Sequence, residues 1–351
     1  MATKNNVWWD DARICDQYCY DLKLADYPRG LNRARINDLA NGNPPYSEKE
    51  VEENGIEVNF NGLDLTTLSH NGRMQFAQGF IKPGRYFNAT TDFGPKHNRT
   101  KIATEVTREM NRHMRQSIGY FETMRSKFAM LVLHGIAPCV WENRTSWCPR
   151  ARGVEDALLP SRTLLGFENL PYVVFYRSFT GMELQKMAQG PVVDPGWNQK
   201  LVNSVIEWVD QEATTLLNTR WAEIWSPEKR AERMKEMGGF YASDQCPTID
   251  CFDIYAYVDD GKESGWVRRI ILDAWGEPGA SGKGYSMERG SRTIDNIRQD
   301  SFLYTSGKRR IASKLSEICS FQFADLSAVA PFRYHSVRSL GYLMYAICHV
   351  Q

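Results

Sequence analysis

Between Leu158 and Leu184 the sequence LLPSRTLLGFENLPYVVFYRSFTGMEL changes its hydrophobic period, and that change limits the folds open to the chain. Leu158, Leu159 and Thr163 to Phe167 read as one strand, Glu168-Asn169 as a tight connection, and Tyr172 to Phe179 as a second strand. The β-branched and aromatic run Tyr172-Val173-Val174-Phe175-Tyr176 fits a half-buried pleated surface. Pro171 is tolerated at a strand's first residue or on an edge, because it has no N–H for the ladder. Thr180 then opens a helix: its hydroxyl can accept from the Glu183 amide while the Glu183 carboxylate accepts from the Thr180 amide. A strand pair that delivers a capped helix requires a mixed architecture. The expected class is α+β, a mixed helical domain with long amphipathic helices and small antiparallel β elements. The stretch itself carries no recognisable chemistry.

Upstream, Asp11 to Tyr20 reads as weakly helical, with Pro28-Arg29-Gly30 as a break and a second helix over Leu31 to Ala40 that ends at Asn41-Gly42. Ser47-x-x-Glu50 is a second capping box, opening a short acidic helix that Gly55 stops. Ile56 to Phe60 alternates like a strand. Leu63 to Phe80 reads as a helix with Leu65, Leu68, Phe76 and Phe80 inward, and Tyr86 to Thr91 as a further strand. From Thr100 to His134 runs the longest periodic segment: Ile102, Val106, Met110, Met114, Ile118, Phe121, Met124, Phe128 and Leu131 step by three or four. One continuous helix there would reach on the order of 50 Å at the α-helical rise, with Gly119 as a bend and Gly135 as its terminator. Arg108, Arg112, Arg115 and Arg125 lie opposite the apolar stripe, and a solvated or inter-subunit charged face is the plainer reading than a nucleic-acid face.

Downstream, GPVVDPG at Gly190 to Gly196 is a linker and the first domain boundary. Leu201 to Trp225 reads as a long helix, and Ser226-Pro227 restarts one that Gly238-Gly239 closes. Ile249 to Val258 and Trp266 to Leu272 flank a turn at Asp259 to Gly265 and form a β-hairpin. Gly276 to Gly290 is a glycine-rich loop, and Phe302 to Phe323 reads as partly helical. PFRYHSVRSLGYLMYAICHVQ carries an apolar helix that runs into Gln351 without a cap, from which a longer natural chain is expected.

Composition narrows the function classes. A net charge of +1 with 24% charged residues argues against a polycation that holds nucleic acid by neutralising phosphates along its whole surface. Aromatics reach 12%, including 10 Trp, a usage that favours large packing and assembly surfaces. The eight cysteines form no C-x-x-C pair and have no histidines at zinc-ligand spacing, so buried free thiols made in a reducing compartment are expected. No apolar run approaches the roughly 18 residues of a membrane helix. Gly276 to Gly284 (GEPGASGKG) fails as a phosphate-binding loop, since the required first glycine falls on Glu277 and the required hydroxyl on Gly284. G-x-S-x-G, H-E-x-x-H and a helix-opening G-x-G-x-x-G are absent. No cofactor, metal or catalytic set is expected. The basic clusters are Arg268-Arg269, Lys308-Arg309-Arg310, and Arg333 with His335 and Arg338; the last six residues are the candidates for facing DNA or a neighbouring subunit.

The order of these motifs resembles tailed-bacteriophage portal proteins. LPSRTLLGFENLPYVVFYRSFTGMEL is similar to their wing region, where a PSR-type strand entry precedes a partner strand and a helix beginning Thr-x-x-Glu-Leu, here Thr180 to Leu184. FDIYAYVDDGKESGWVRRIIL resembles the β segment before the return to the wing, and PFRYHSVRSLGYLMYAICHVQ the proline-led turn and helix of that return. The resemblance implies a portal-like fold in three parts: a wing-like α+β domain over 1–190, a stem- and clip-like helical excursion with a hairpin over 191–300, and a return to the wing over 301–351. It implies a virion protein made in the host cytoplasm, a self-assembled ring of about twelve copies that passes double-stranded DNA. Its partners would be the terminase motor, capsid protein and a tail adaptor, with no membrane. Another virion assembly or head–tail connector component, and a cysteine- or carboxylate-dependent enzyme, are the alternative expectations.

Overall fold

A computed structural model describes residues 12–57, 59–80, 88–90, 96–116, 118–141, 148–160, 170, 172–189, 202–203, 206, 248–259, 264–272, 304–305, 318–323 and 337–348. These form an α+β protein with two antiparallel sheets, divided into two compact units that interleave in sequence. One takes residues up to Tyr27, Asp156–Pro160 and Leu170–Leu315. The other takes Pro28–Glu155, Ser161–Asn169 and Ser316–Gln351. The boundaries expected at 190–191 and 300–301, the strand segment Thr163 to Phe167, the helix opened at Ser226 and the loop 276–290 lie outside the described residues.

The first unit is built on a five-stranded sheet of order β3-β4-β5-β6-β7: β3 (Ala157–Leu158), β4 (Tyr172–Thr180), β5 (Thr248–Asp259), β6 (Ser264–Leu272) and β7 (Tyr304–Thr305). The alternation expected around Asp259 to Gly265 is realised as the β5–β6 hairpin, paired from Asp259↔Ser264 to Cys251↔Leu272. β4 lies between β3 and β5, in register from Tyr172↔Ala256 to Thr180↔Thr248. One face of the sheet carries Tyr172, Val174, Phe252, Ile254, Ala256 and Ile271. They pack with Cys15, Cys19 and Leu22 of α1 (Ala12–Ala40). Tyr18 bridges the same layers through a 2.5 Å hydroxyl contact with Tyr172, and the Lys23 ammonium sits 3.9 Å from the Tyr176 ring centroid. The other face carries Val173, Phe175, Phe179, Asp253, Tyr255, Arg268 and Ile270, also buried. Each large apolar side chain removed from water here contributes roughly 1.5–3 kcal/mol. The expected capping box is present: the Thr180 amide donates to Glu183 at 3.0 Å and the Glu183 amide to the Thr180 hydroxyl at 3.2 Å, ahead of the helix Gly181–Gln189.

In the second unit α1 continues from Pro28 to Ala40, so the break expected at Pro28-Arg29-Gly30 does not occur. The stripe Cys15, Cys19, Asp26, Arg33, Ile36 is buried at helical spacing on both sides of the proline, and that packing outweighs the lost backbone hydrogen bond, about 3 kcal/mol. α2 (Glu48–Asn54) has the capping box on Ser47 and Glu50, and Gly55 closes it in the left-handed region at φ 62. The strand expected over Ile56 to Phe60 is absent among its described residues. Asn59 instead brackets Tyr46, accepting from its amide and donating to its carbonyl, so backbone groups that a ladder would use are taken by a side chain.

α3 (Asp64–Phe80) buries Leu65 and half-buries Leu68, as expected, while the side chains of Phe76 and Phe80 lie outside the described set. The single long helix over Thr100 to His134 is two: α4 (Lys96–Gln116) and α5 (Ile118–His134). Gly135 closes α5 at φ 74, its amide donating to Leu131. The chain then enters β1 (Ile136–Val140), the buried central strand of a three-stranded sheet, between β2 (Arg150–Ala151) and β8 (Cys319–Phe323). The partial helix expected over Phe302 to Phe323 is replaced, where described, by strands β7 and β8.

The closing helix, which follows Gly181–Gln189 (α6) as α7 (Leu340–Cys348), forms as expected and packs on α5. Ser339 caps it by accepting from the Tyr342 amide and donates to the Leu133 carbonyl at 2.5 Å. Gly341 permits that approach: a Cβ there would lie 2.1 Å from the Leu133 carbonyl oxygen. Ile36, Leu39 and Leu65 form the core under this crossing, with Leu133, Tyr342 and Tyr345 against them.

Candidate functional site

The most distinctive surface of the second unit is α4. Its sequence KHNRTKIATEVTREMNRHMRQ places six Lys and Arg against two Glu, a formal charge of +4. Among its described side chains only Asn111 and Met114, in the last two turns, are buried. Ile102 and Val106, one turn apart, are 45% and 42% exposed. The inward stripe expected for the whole segment therefore holds at Met114, Phe128 and Leu131 and fails at Ile102 and Val106. The first turns of α4, which bury no described side chain, therefore draw their stability chiefly from local terms, which are marginal in water.

Residues 88–90 are tied to α4 by the Ala89 amide, which donates to the Thr107 hydroxyl at 2.9 Å, and Asn111 donates to the Thr107 carbonyl at 2.6 Å. Between these segments lies an open concavity of about 850 Å³, lined by Asn88, Thr107, Arg108, Arg112 and Arg115 among others. Arg112 pairs with Glu109 at 2.8 Å and Arg108 reaches the same carboxylate at 3.8 Å, yet both guanidinium side chains remain 60% or more exposed. Surface pairs of this kind contribute at most about 1 kcal/mol. They leave Arg108 and Arg112 available to an external anion or acidic surface.

The acidic counterpart is α2 and the turn after it. Residues 48–57 carry five Glu and one Lys, a formal charge of −4. α2 buries no residue, and Glu48, Glu52, Glu53 and Glu57 are exposed. Glu50 is engaged locally, with the Ser47 cap and with Arg35 at 2.9 Å. Phe60 and Leu63 follow, 76% and 50% exposed.

Among the buried groups of the described residues, Asp253, His134 and Cys139 bear on possible chemistry. Asp253 receives a two-pronged hydrogen bond from Arg268, at 2.8 Å on each oxygen, with Arg177 3.6 Å from one of them. This closes a cluster inside the sheet rather than a solvent-facing site. His134 hydrogen-bonds Asn37 Oδ1 through Nε2 at 2.9 Å; burial, and secondarily the charge of Arg33, lower its pKa to about 4, which keeps it neutral. Burial raises the Cys139 thiol, with Lys127 and Arg152 pulling the other way, so it stays protonated at neutral pH. Among the described residues no group of three or more His, Cys, Asp or Glu could hold a metal ion, and no helix is long and apolar enough to cross a membrane.

Of the basic residues singled out from sequence, Lys308, Arg309, Arg310, Arg333 and His335 lie outside the described residues. Arg338 is exposed at the start of α7, its guanidinium 5.6 Å from the Tyr342 ring centroid. The Arg268-Arg269 pair is not a surface cluster: both are buried, and Arg268 is consumed by Asp253. The hairpin register carries a signal for that pairing, because Asp253, flanked by Phe252 and Ile254 in mid-strand, faces a return strand with two Arg. The chain matches no family model, and comparison with curated proteins yields no match.

Proposed function

We propose that the chain is a portal protein: a subunit of a ring at a capsid vertex through which double-stranded DNA is packaged and ejected. The observation that carries this reading is topological. Thr180, where the chain leaves the sheet, pairs directly with Thr248, where it re-enters. Residues 181–247 therefore form an excursion that departs from and returns to one point of a stable sheet. Downstream, β8 pairs with β1 and α7 packs on α5, so the chain's later part rejoins its earlier part. The motif order implies a wing that emits a stem-like excursion and is then rejoined; the hairpin it placed within that excursion, over 191–300, instead pairs with β4 in the sheet. The terminase motor, capsid protein and a tail adaptor are the partners that follow from it, and the virion its location.

Mass photometry and negative-stain imaging of the full chain test the reading. A monodisperse ring of about twelve copies with a central pore is the expected result. A monomer or dimer at micromolar concentration overturns it, and catalytic turnover that one Cys, His or acid substitution abolishes would favour an enzyme instead.

A further inference from the structure

The exposed, oppositely charged segments of the second unit point to a specific contact between copies. We propose that α4 docks against residues 48–57 of a second copy of this chain, Arg108 and Arg112 facing Glu48 and Glu52. The inference takes closure into a ring from the portal reading, but the contact itself rests on charge and exposure.

Three observations support it. α4 has no buried described side chain before its last two turns, and Arg108 and Arg112 stand exposed on it. The two segments have formal charges of +4 and −4, and each lies on an element whose glutamates or arginines are mostly exposed. Pairing α4 with α4 across a two-fold axis would set arginine rows against each other, which disfavours an isologous contact. A heterologous contact, basic face on acidic face, avoids that repulsion, and repetition of such a contact generates a ring where the rotation closes. Duplex DNA would satisfy the arginines as well. It would leave the acidic segment unmatched and repelled.

The test is a charge-reversal cycle on the full chain: Arg108→Glu with Arg112→Glu, Glu48→Lys with Glu52→Lys, and all four together. Assembly is followed by sedimentation velocity from 0.05 to 1 M NaCl, and folding by circular dichroism. Each pair of reversals is expected to weaken association at least tenfold, the combination to restore it to within about threefold, and salt to weaken the wild type. Should a reversed chain fail to fold, Arg108→Gln with Arg112→Gln and Glu48→Gln with Glu52→Gln replace it, with a smaller loss on each side. Unchanged assembly in the reversed chains overturns the inference, as does a combination no better than its parts. Intact assembly with lost affinity for a 30-base-pair duplex also overturns it and assigns the arginine row to DNA. If the wild type forms open oligomers that obey the charge cycle, the contact stands and the ring reading falls. A wild-type ring indifferent to the cycle does the reverse.

Discussion

Gly341 sits where two helices nearly touch, and alanine there isolates the cost of that approach. An added Cβ would lie 2.1 Å from the Leu133 carbonyl oxygen and 2.9 and 3.0 Å from the carbonyl carbon and Cα, all backbone atoms of α5 that no rotamer change can move. Ordinary carbon–oxygen contact requires roughly another 1 Å, so α7 must shift bodily. Overpacking of this kind costs about 1–3 kcal/mol. The shift also strains the 2.5 Å hydrogen bond from Ser339 to Leu133, whose loss is about another 1 kcal/mol. Alanine's better helix propensity returns up to about 1 kcal/mol. The expected net destabilisation is about 2–3 kcal/mol, or about 4–12 °C in the transition of a unit this size. Calorimetry of the full chain, with hydrogen-exchange mass spectrometry on peptides covering 118–134 and 337–348, reads both the shift and its location. Gly30→Ala is the control of opposite sign: that glycine lies inside α1 with nothing within 4 Å, and its substitution is expected to stabilise by about 0.5–1 kcal/mol. A Gly341→Ala chain with unchanged melting and unchanged protection in both peptides would refute the close-crossing argument.

Asp253→Asn should cost about 3–5 kcal/mol, because it leaves Arg268 and Arg177 buried beside a neutral amide; urea denaturation giving a loss below about 1 kcal/mol would show that the cluster is solvated. His134 gives a pH signature. Its folded pKa of about 4 lies below the unfolded 6.5, so its stabilising contribution is whole above pH 6.5 and is lost as pH falls toward 4, by about 3 kcal/mol in total. His134→Gln, which can still donate to Asn37, should show a visibly flatter melting temperature between pH 7 and 4.5 than the wild type, and parallel curves would sink the assignment.

What was legible in the sequence was what local chemistry decides. Both capping boxes, the Gly55 and Gly135 terminators and the β5–β6 hairpin rest on residues within a few positions of one another, and each forms where the pattern places it. The failures share a different cause. β1 was hidden because Pro138 interrupts a five-residue apolar run, although the proline occupies the centre of its sheet and its carbonyl still accepts from Arg152. α1 reads as two helices because Pro28-Arg29-Gly30 is a local break signal, whereas the buried stripe that keeps it continuous includes the charged Asp26 and Arg33 and so escapes a hydrophobic period. Arg268-Arg269 looked like a surface cluster because pairing with Asp253 depends on register across the hairpin, not on neighbours in sequence.

The same distinction governs the candidate assembly surface. A net charge of +1 reads as a featureless, nearly neutral protein, and it is the sum of segments as different as +4 in α4 and −4 over residues 48–57. Burial separates these charges from the structural ones. Asp253 and Arg268 are consumed inside a sheet, where their interaction fixes packing and is closed to a partner. The arginines of α4 and the glutamates of α2 remain in water, where individual pairs are weak and a complementary array chiefly sets orientation and partner choice. Charge placed this way does little for the stability of one copy, and its segregation onto two exposed helices acquires a physical consequence when one copy meets another.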